Sequence, residues 1–160
     1  MGEHSVRCAR WTDLDRDDLW GIVRLRNRVF ALEQRVTDED FEPRDQADDT
    51  EHWWIDGAGG VAAAYLRLIR PSAAEVSPDG AEPARWVVGR VATEVGHRRR
   101  GFAHRLVEAV LDAHGTDPIA LHAQEHVAGL YAASGFVRFG ASYVEAGIRH
   151  VGMYRAPGPR

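Results

Sequence analysis

The chain predicts a mixed α/β domain with a central, mostly antiparallel sheet flanked by helices, and three observations carry that prediction. Short stretches rich in β-branched and aromatic residues recur at 6–11, 52–55, 61–70, 86–95, 119–124, 137–144 and 150–155. Between some of them, apolar residues fall at helical spacing instead. The strand, helix and strand across 86–124 form a βαβ unit, in which the crossover is right-handed and the strands parallel.

The elements follow in order. Val6 to Trp11 reads as a first strand, and Thr12-x-x-Asp15 as a capping box that opens a helix. In that helix Ile22, Leu25, Val29 and Leu32 lie on one stripe, with Asp15, Asp17 and Asp18 early and Arg24, Arg26 and Arg28 late, as the macrodipole prefers. A short helix and loop around Pro43 leads to the strand His52-Trp53-Trp54-Ile55, whose two tryptophans are expected in the core. Asp56 to Gly60 turns the chain into a return strand, Val61 to Arg70. Pro71 to Arg85 has no period and reads as a flexible loop. After the strand Trp86 to Val95, the residues Phe102, Leu106, Val110 with Ala103, Val107 and Leu111 stripe a helix that Gly115 and Pro118 end. Ile119 to Gln124 is a strand and Glu125 to Ser134 a helix closed by Gly135. Val137 to Val144 and His150 to Arg155 form a hairpin around Ala146-Gly147.

At 160 residues and 17.8 kDa, with 44% hydrophobic and 28% charged residues, the composition is that of one globular domain spanning 1–160. A net charge of −4 and a pI of about 6.0 argue against a general nucleic-acid binder. No apolar run approaches the roughly 20 residues that span a bilayer, and the N-terminus lacks a signal-peptide pattern, so no membrane association and a cytoplasmic location are expected. The one cysteine, Cys8, excludes an intrachain disulfide and is expected to be buried in the first strand. His122 and His126 straddle a strand-to-helix break, which spoils a shared metal-binding face; no metal is expected. Residues 38 to 51 hold eight carboxylates against Arg44 alone, a solvated loop or else a funnel for a cationic amine.

Arg98-Arg99-Arg100-Gly101-Phe102-Ala103 stands where a strand gives way to a helix. A helix N-terminus presents unpartnered N–H groups and a positive dipole end, and guanidinium forks match phosphate oxygens. Three arginines at a helix start also fit a solvated loop. Gly57-x-Gly59-x-x-Ala62 is a competing, looser dinucleotide fingerprint, but that reading needs a helix where a return strand is predicted.

Arg98-x-x-Gly101-x-Ala103 resembles the signature of the GCN5-related N-acetyltransferases, where this loop binds the pyrophosphate of acetyl-coenzyme A. Gln124, then Tyr131 seven positions on, then Gly135-Phe136 resemble the second half of that signature. A narrower resemblance, to the ElaA-like branch, rests on Leu25-Arg26-x-x-Val29-Phe30-x-x-Glu33-Gln34, Gly89-Arg90-Val91, Ala123-Gln124-x-His126 and Glu145-x-Gly147-Ile148-x-His150-x-x-Met153. In place of the branch's Glu-Asp-Gly-Ile-Pro-His the chain has Glu145-Ala146-Gly147-Ile148-Arg149-His150.

The resemblance implies the GNAT acyl-CoA N-acyltransferase fold and direct transfer of acetyl from acetyl-CoA to a primary amine, that of a small molecule. It puts backbone groups of Val91, Ala92 and Thr93 on the pantetheine arm, Arg98, Arg99, Arg100, Gly101, Phe102 and Ala103 around the pyrophosphate, and Gln124 as a further cofactor contact. Tyr131 takes the role of general acid, since a phenol with pKa near ~10 can protonate a thiolate whose acid lies near ~8.5. No acid stands at Trp86 to Gly89, where some members carry a glutamate base. Glu33, His52, His122 and His150 are left as substrate or base candidates. The resemblance is compatible with a homodimer, and a non-catalytic acyl-CoA-binding sensor on the same fold is the alternative.

Overall fold

The computed structural model describes residues 4–72 and 77–159, so part of the loop predicted at 71–85 lies outside the described residues. The elements are β1 (Val6–Arg10), α1 (Arg16–Arg26), β2 (Glu51–Asp56), β3 (Ala62–Ile69), β4 (Trp86–Thr93), α2 (Phe102–His114), β5 (Ile119–Gln124), α3 (Ala128–Ala132), β6 (Val137–Glu145) and β7 (Ile148–Arg155). The strands follow the spatial order β1-β2-β3-β4-β5-β7-β6. The β4–β5 pairing is parallel over Trp86–Val88, as the βαβ reading requires, while β1–β2, β2–β3, β5–β7 and β6–β7 are antiparallel. Chain proximity divides the molecule into two compact units, one of residues up to Leu68 with Arg90–Leu106, the other of Ile69–Gly89 with the chain from Val107 onward.

In the first unit, α1 is capped by Asp15, whose carboxylate accepts from the Asp18 N–H at 2.8 Å. Thr12 was the expected cap, but it lies in a short 3-10 turn over Trp11–Asp13. Ile22, Leu25 and Val29 pack with Trp54, Val61, Ala62, Tyr65 and Ala92. Leu32 does not join them; it is 67% exposed. From Asn27 to Glu33 the helix widens into a π-helix, and the longer turn carries Leu32 off the stripe that 3.6-residue spacing predicts. Residues 57–61 make the predicted turn and β3 returns antiparallel to β2, so the helix that a dinucleotide loop needs is not there. Both Trp53 and Trp54 are buried. Cys8 is exposed rather than buried, because β1 lies at the sheet edge; partial desolvation pushes its thiol up to about 12.

The acidic segment is neither a solvated loop nor a cationic funnel over its first half. Asp40 and Asp45 pair with Arg26, which is fully buried, at 2.9 and 2.7 Å. Glu42 and Asp45 pair with Arg67 at 2.9 and 3.2 Å, and Asp40 with Arg90 at 3.0 Å. His52 closes the cluster. Its Nε2 donates to the Asp45 carbonyl at 2.9 Å, so its Nδ1 accepts from the Tyr65 hydroxyl at 2.7 Å.

In the second unit, the continuation of α2 buries Val107 and Val110, and Gly115 approaches so closely that a Cβ there would lie 2.4 Å from the Leu111 carbonyl oxygen. The helix predicted at 125–134 is shorter than expected: a 3-10 turn, Glu125–Val127, precedes α3, because Val127 leaves helical geometry at φ −108°, ψ 5°. Ala146 and Gly147, at φ 50° and 76°, form a tight two-residue turn between β6 and β7.

Burial lowers the proton affinity of His52, so the native protein carries it neutral while the unfolded chain protonates it below about 6.5. Its contribution is fully present above that pH and is lost as pH falls below it, at no more than about 1.4 kcal/mol per pH unit for one proton. Melting temperature is therefore expected to drop between about pH 7.5 and 5.5, and less steeply in His52→Gln. An identical slope in the variant would remove His52 as the cause.

Candidate active site

The predicted site residues fall in both units. In the first, β4 ends at Thr93 and a 3-10 turn, Val95–His97, follows; its cap, Glu94, accepts from the Gly96 N–H at 2.8 Å. The chain then bends through Arg99 at φ 61° and Gly101 at φ 77°, two left-handed residues that set Phe102 as the first residue of α2. The first intrahelical bond runs from the Arg105 N–H to the Gly101 carbonyl at 3.0 Å. The turn ahead of that bond holds the orphan amides that favour an anion. Phe102 is buried, with the Arg100 guanidinium 5.1 Å from its ring. No neighbouring atom lies within 4 Å of a Cβ built on Gly101, so conformation rather than crowding calls for glycine there.

The three arginines are not equivalent. Arg98 makes a two-pronged pair with Glu33 at 2.7 and 2.6 Å and donates from Nε to the Thr93 carbonyl at 3.1 Å. Among the described residues, Arg99 and Arg100 make no ion pair, and both are exposed. The pairing with Arg98 also lowers the pKa of Glu33, a poor starting point for a base. Val91 and Thr93 are half-buried and Ala92 is buried; just before them Arg90 sits at φ 52°, a left-handed break in β4.

In the second unit, Tyr131 lies on α3, 4% exposed, edge-on to Phe136 with ring centroids 6.2 Å apart. Desolvation raises its pKa, and among the described residues its hydroxyl makes no hydrogen bond. The turn is closed by the Phe136 N–H on the Tyr131 carbonyl at 3.2 Å, with Gly135 at φ 88°. Gln124 ends β5 and stands opposite His150 of β7. His122, two residues back on the same face, approaches the Tyr143 hydroxyl through Nδ1 at 2.9 Å. The Tyr143 ring stacks on His150 at 5.7 Å, and His150 Nδ1 donates to the Ile148 carbonyl at 2.7 Å.

A family model described as an acetyltransferase (GNAT) domain matches residues 27–156. The chain belongs to the GNAT acetyltransferase family. It is 34% identical to a UPF0039 protein of Mycobacterium tuberculosis over 89% of this chain and 87% of that one. With the protein ElaA of Escherichia coli it shares 31% identity over 91% of this chain and 95% of ElaA. The crystal structure of an acyl-CoA N-acyltransferase from Pseudomonas aeruginosa superposes with a TM-score of 0.78 at 31% identity, covering 96% of this chain and 99% of that one. As a GNAT protein it is an acyltransferase by family, and its fold is that of the acyl-CoA N-acyltransferases.

Within this GNAT chain the four base candidates separate. His52 has both ring nitrogens engaged in the core and is 1% exposed, so it is a structural residue, contrary to the expectation. Glu33 has both carboxylate oxygens on Arg98. His122 and His150 share one face of β5 and β7. Sequence reading missed Tyr143 between them. A four-residue step from Phe139 to Tyr143 spans a two-residue step on β7, from Gly152 to His150, with Gly140 at φ 70°, and alternation cannot register such a bulge. Gly101→Ala is expected to cost about 1–2 kcal/mol in urea unfolding, the price of a left-handed Cβ without a clash. A cost well beyond that would mean the loop has another constraint.

Proposed function

We propose that this protein transfers the acetyl group of acetyl-coenzyme A directly to a primary amine of a small molecule. The 98–103 loop carries the reading. It brings together orphan helix amides, two left-handed residues and two arginines that make no ion pair among the described residues, a combination that suits a diphosphate. Backbone groups of Val91 to Thr93 would pair with the pantetheine arm and polarise the thioester carbonyl, and Gln124 would add an amide contact. Arg98 would serve the phosphate only by exchanging Glu33 for it. The acetyl donor carries the activated acyl group; the chain's residues bind, orient and move protons.

Tyr131 is assigned as the general acid for the leaving thiolate. A desolvated phenol holds its proton until a strong base develops beside it, which is the state of a departing thiolate. Direct transfer is favoured over a cysteine intermediate because Cys8, the single cysteine, has a raised pKa and holds little thiolate at neutral pH.

Tyr131→Phe is expected to lower kcat about 10²-fold, read as thiol release from acetyl-CoA, while calorimetry finds coenzyme A affinity within twofold of the parent. Undiminished turnover would remove the acid role. The test set of acceptors is spermidine, glucosamine and tetra-alanine; coenzyme A binding without transfer to any of them would favour a sensor.

Glu33→Gln releases Arg98. Both side chains of that pair are more than a third exposed, so it is worth at most about 1 kcal/mol, and coenzyme A binding is expected to tighten by up to about fivefold. Weaker binding in the variant would mean that Glu33 orients Arg98 for the phosphate.

A further inference from the structure

We infer that His150 is the general base that takes the proton from the acceptor's ammonium group. The inference rests on the acyl-transfer reading above. Three observations carry it. His150 Nδ1 is 2.7 Å from the Ile148 carbonyl, which can only accept, so Nδ1 holds the ring proton and the lone pair is on Nε2. Among the described residues Nε2 makes no hydrogen bond. The ring is held half-buried by stacking on Tyr143 at an interplanar angle of 22°, and Tyr143 is in turn tied to His122 at 2.9 Å. A fixed tautomer on a fixed ring is what an oriented base requires.

Position supplies the third. His150 and Gln124 are direct partners in the antiparallel β5–β7 register, so their side chains leave the same face about 5 Å apart at Cβ. The residue assigned to the cofactor arm therefore has the base as its cross-strand neighbour. His122 fits the role less well, because it is exposed and its Nδ1 is already shared with Tyr143. The other titratable groups facing His150 are His122 from β5, and Tyr143 and Glu145 from β6. Arg149 points to the opposite face and reaches Glu125 at 3.4 Å.

The proton balance closes. His150 Nε2 takes one proton from the ammonium, the neutral nitrogen forms the C–N bond, and the C–S bond breaks. Tyr131 gives its proton to the leaving sulfur and recovers one from the new amide nitrogen; His150 then releases its proton to water. The products are the amide, the free thiol and one proton.

The test is the pH profile of kcat/KM for whichever of spermidine, glucosamine or tetra-alanine the parent acetylates. The parent is expected to lose rate on the acid side with the midpoint of the His150 titration measured by NMR in the same protein. His150→Gln is expected to lose about 10²-fold at neutral pH and to lose that limb, its rate rising about tenfold per pH unit with the free amine. Coenzyme A affinity measured by calorimetry should stay within twofold, which also reports a folded variant. If His150→Gln does not fold, a mismatch in the parent between the NMR midpoint and the acid limb overturns the assignment by itself. Full turnover in the variant also overturns it while leaving acyl transfer intact. Failure of the parent to acetylate any of the three amines overturns acyl transfer, and this assignment with it.

Discussion

Arg26 is a full positive charge with no solvent exposure, and much of the first unit is arranged to hold it. Its guanidinium donates to Asp40, Asp45, the Asp40 carbonyl and the Tyr65 hydroxyl, and it lies 3.7 Å from the Phe41 ring. Burial works against the charge, and the carboxylates of Asp40 and Asp45 outweigh it. An ion in such a place is tolerated only when its partners are complete, and loss of one partner typically costs about 3–5 kcal/mol. That cost pins residues 40–45, which have little regular structure of their own, against α1 and β3. It also explains why the segment is acidic, since Arg67 brings a second buried cation to the same carboxylates.

The cluster reaches the strand that carries the reading frame of the site. Asp40 binds Arg26 on one side and Arg90 on the other, and Arg90 is the left-handed residue of β4. A non-glycine residue at φ 52° persists only where its surroundings hold it there. The Arg90 guanidinium lies 3.0 Å from the Asp40 carboxylate and 3.3 Å from its carbonyl, so the side chain at that break is tied to the same aspartate. The break in β4 and the buried ion thus share Asp40, and Gly89-Arg90-Val91 and Leu25-Arg26 are the two sequence fragments that meet at it.

Legibility in the sequence followed the range of the interactions. Strands and helices set by alternation or by a 3.6-residue stripe were readable, including the βαβ unit and the Ala146-Gly147 turn, because neighbours along the chain decide them. The fold class and the order of motifs came through for the same reason. Leu32 was misplaced because a π-turn changes the period without a local mark in composition. The capping residue shifted from Thr12 to Asp15 because residues 11–13 wind into a 3-10 turn ahead of the helix, which spacing alone does not show. Ion pairing between Arg98 and Glu33, 65 residues apart, and the bulge that brings Tyr143 over His150 depend on tertiary register, which spacing does not encode.

Two ion pairs along one helical path differ in what they can yield. Arg26 closes α1 and Glu33 ends the π-turn that continues it, so the same backbone carries a buried pair and an exposed one. The buried pair lies in a low dielectric and salt screens it little. Arg98–Glu33 is more than a third exposed on both sides, and pairs of that kind contribute about 0–1 kcal/mol. The loop holds Arg99 and Arg100, which make no ion pair among the described residues, and Arg98, which is held by a bond weak enough to exchange. Arg98 can thus exchange its partner while the helix that carries Glu33 stays fixed by the ion seven residues earlier in the chain.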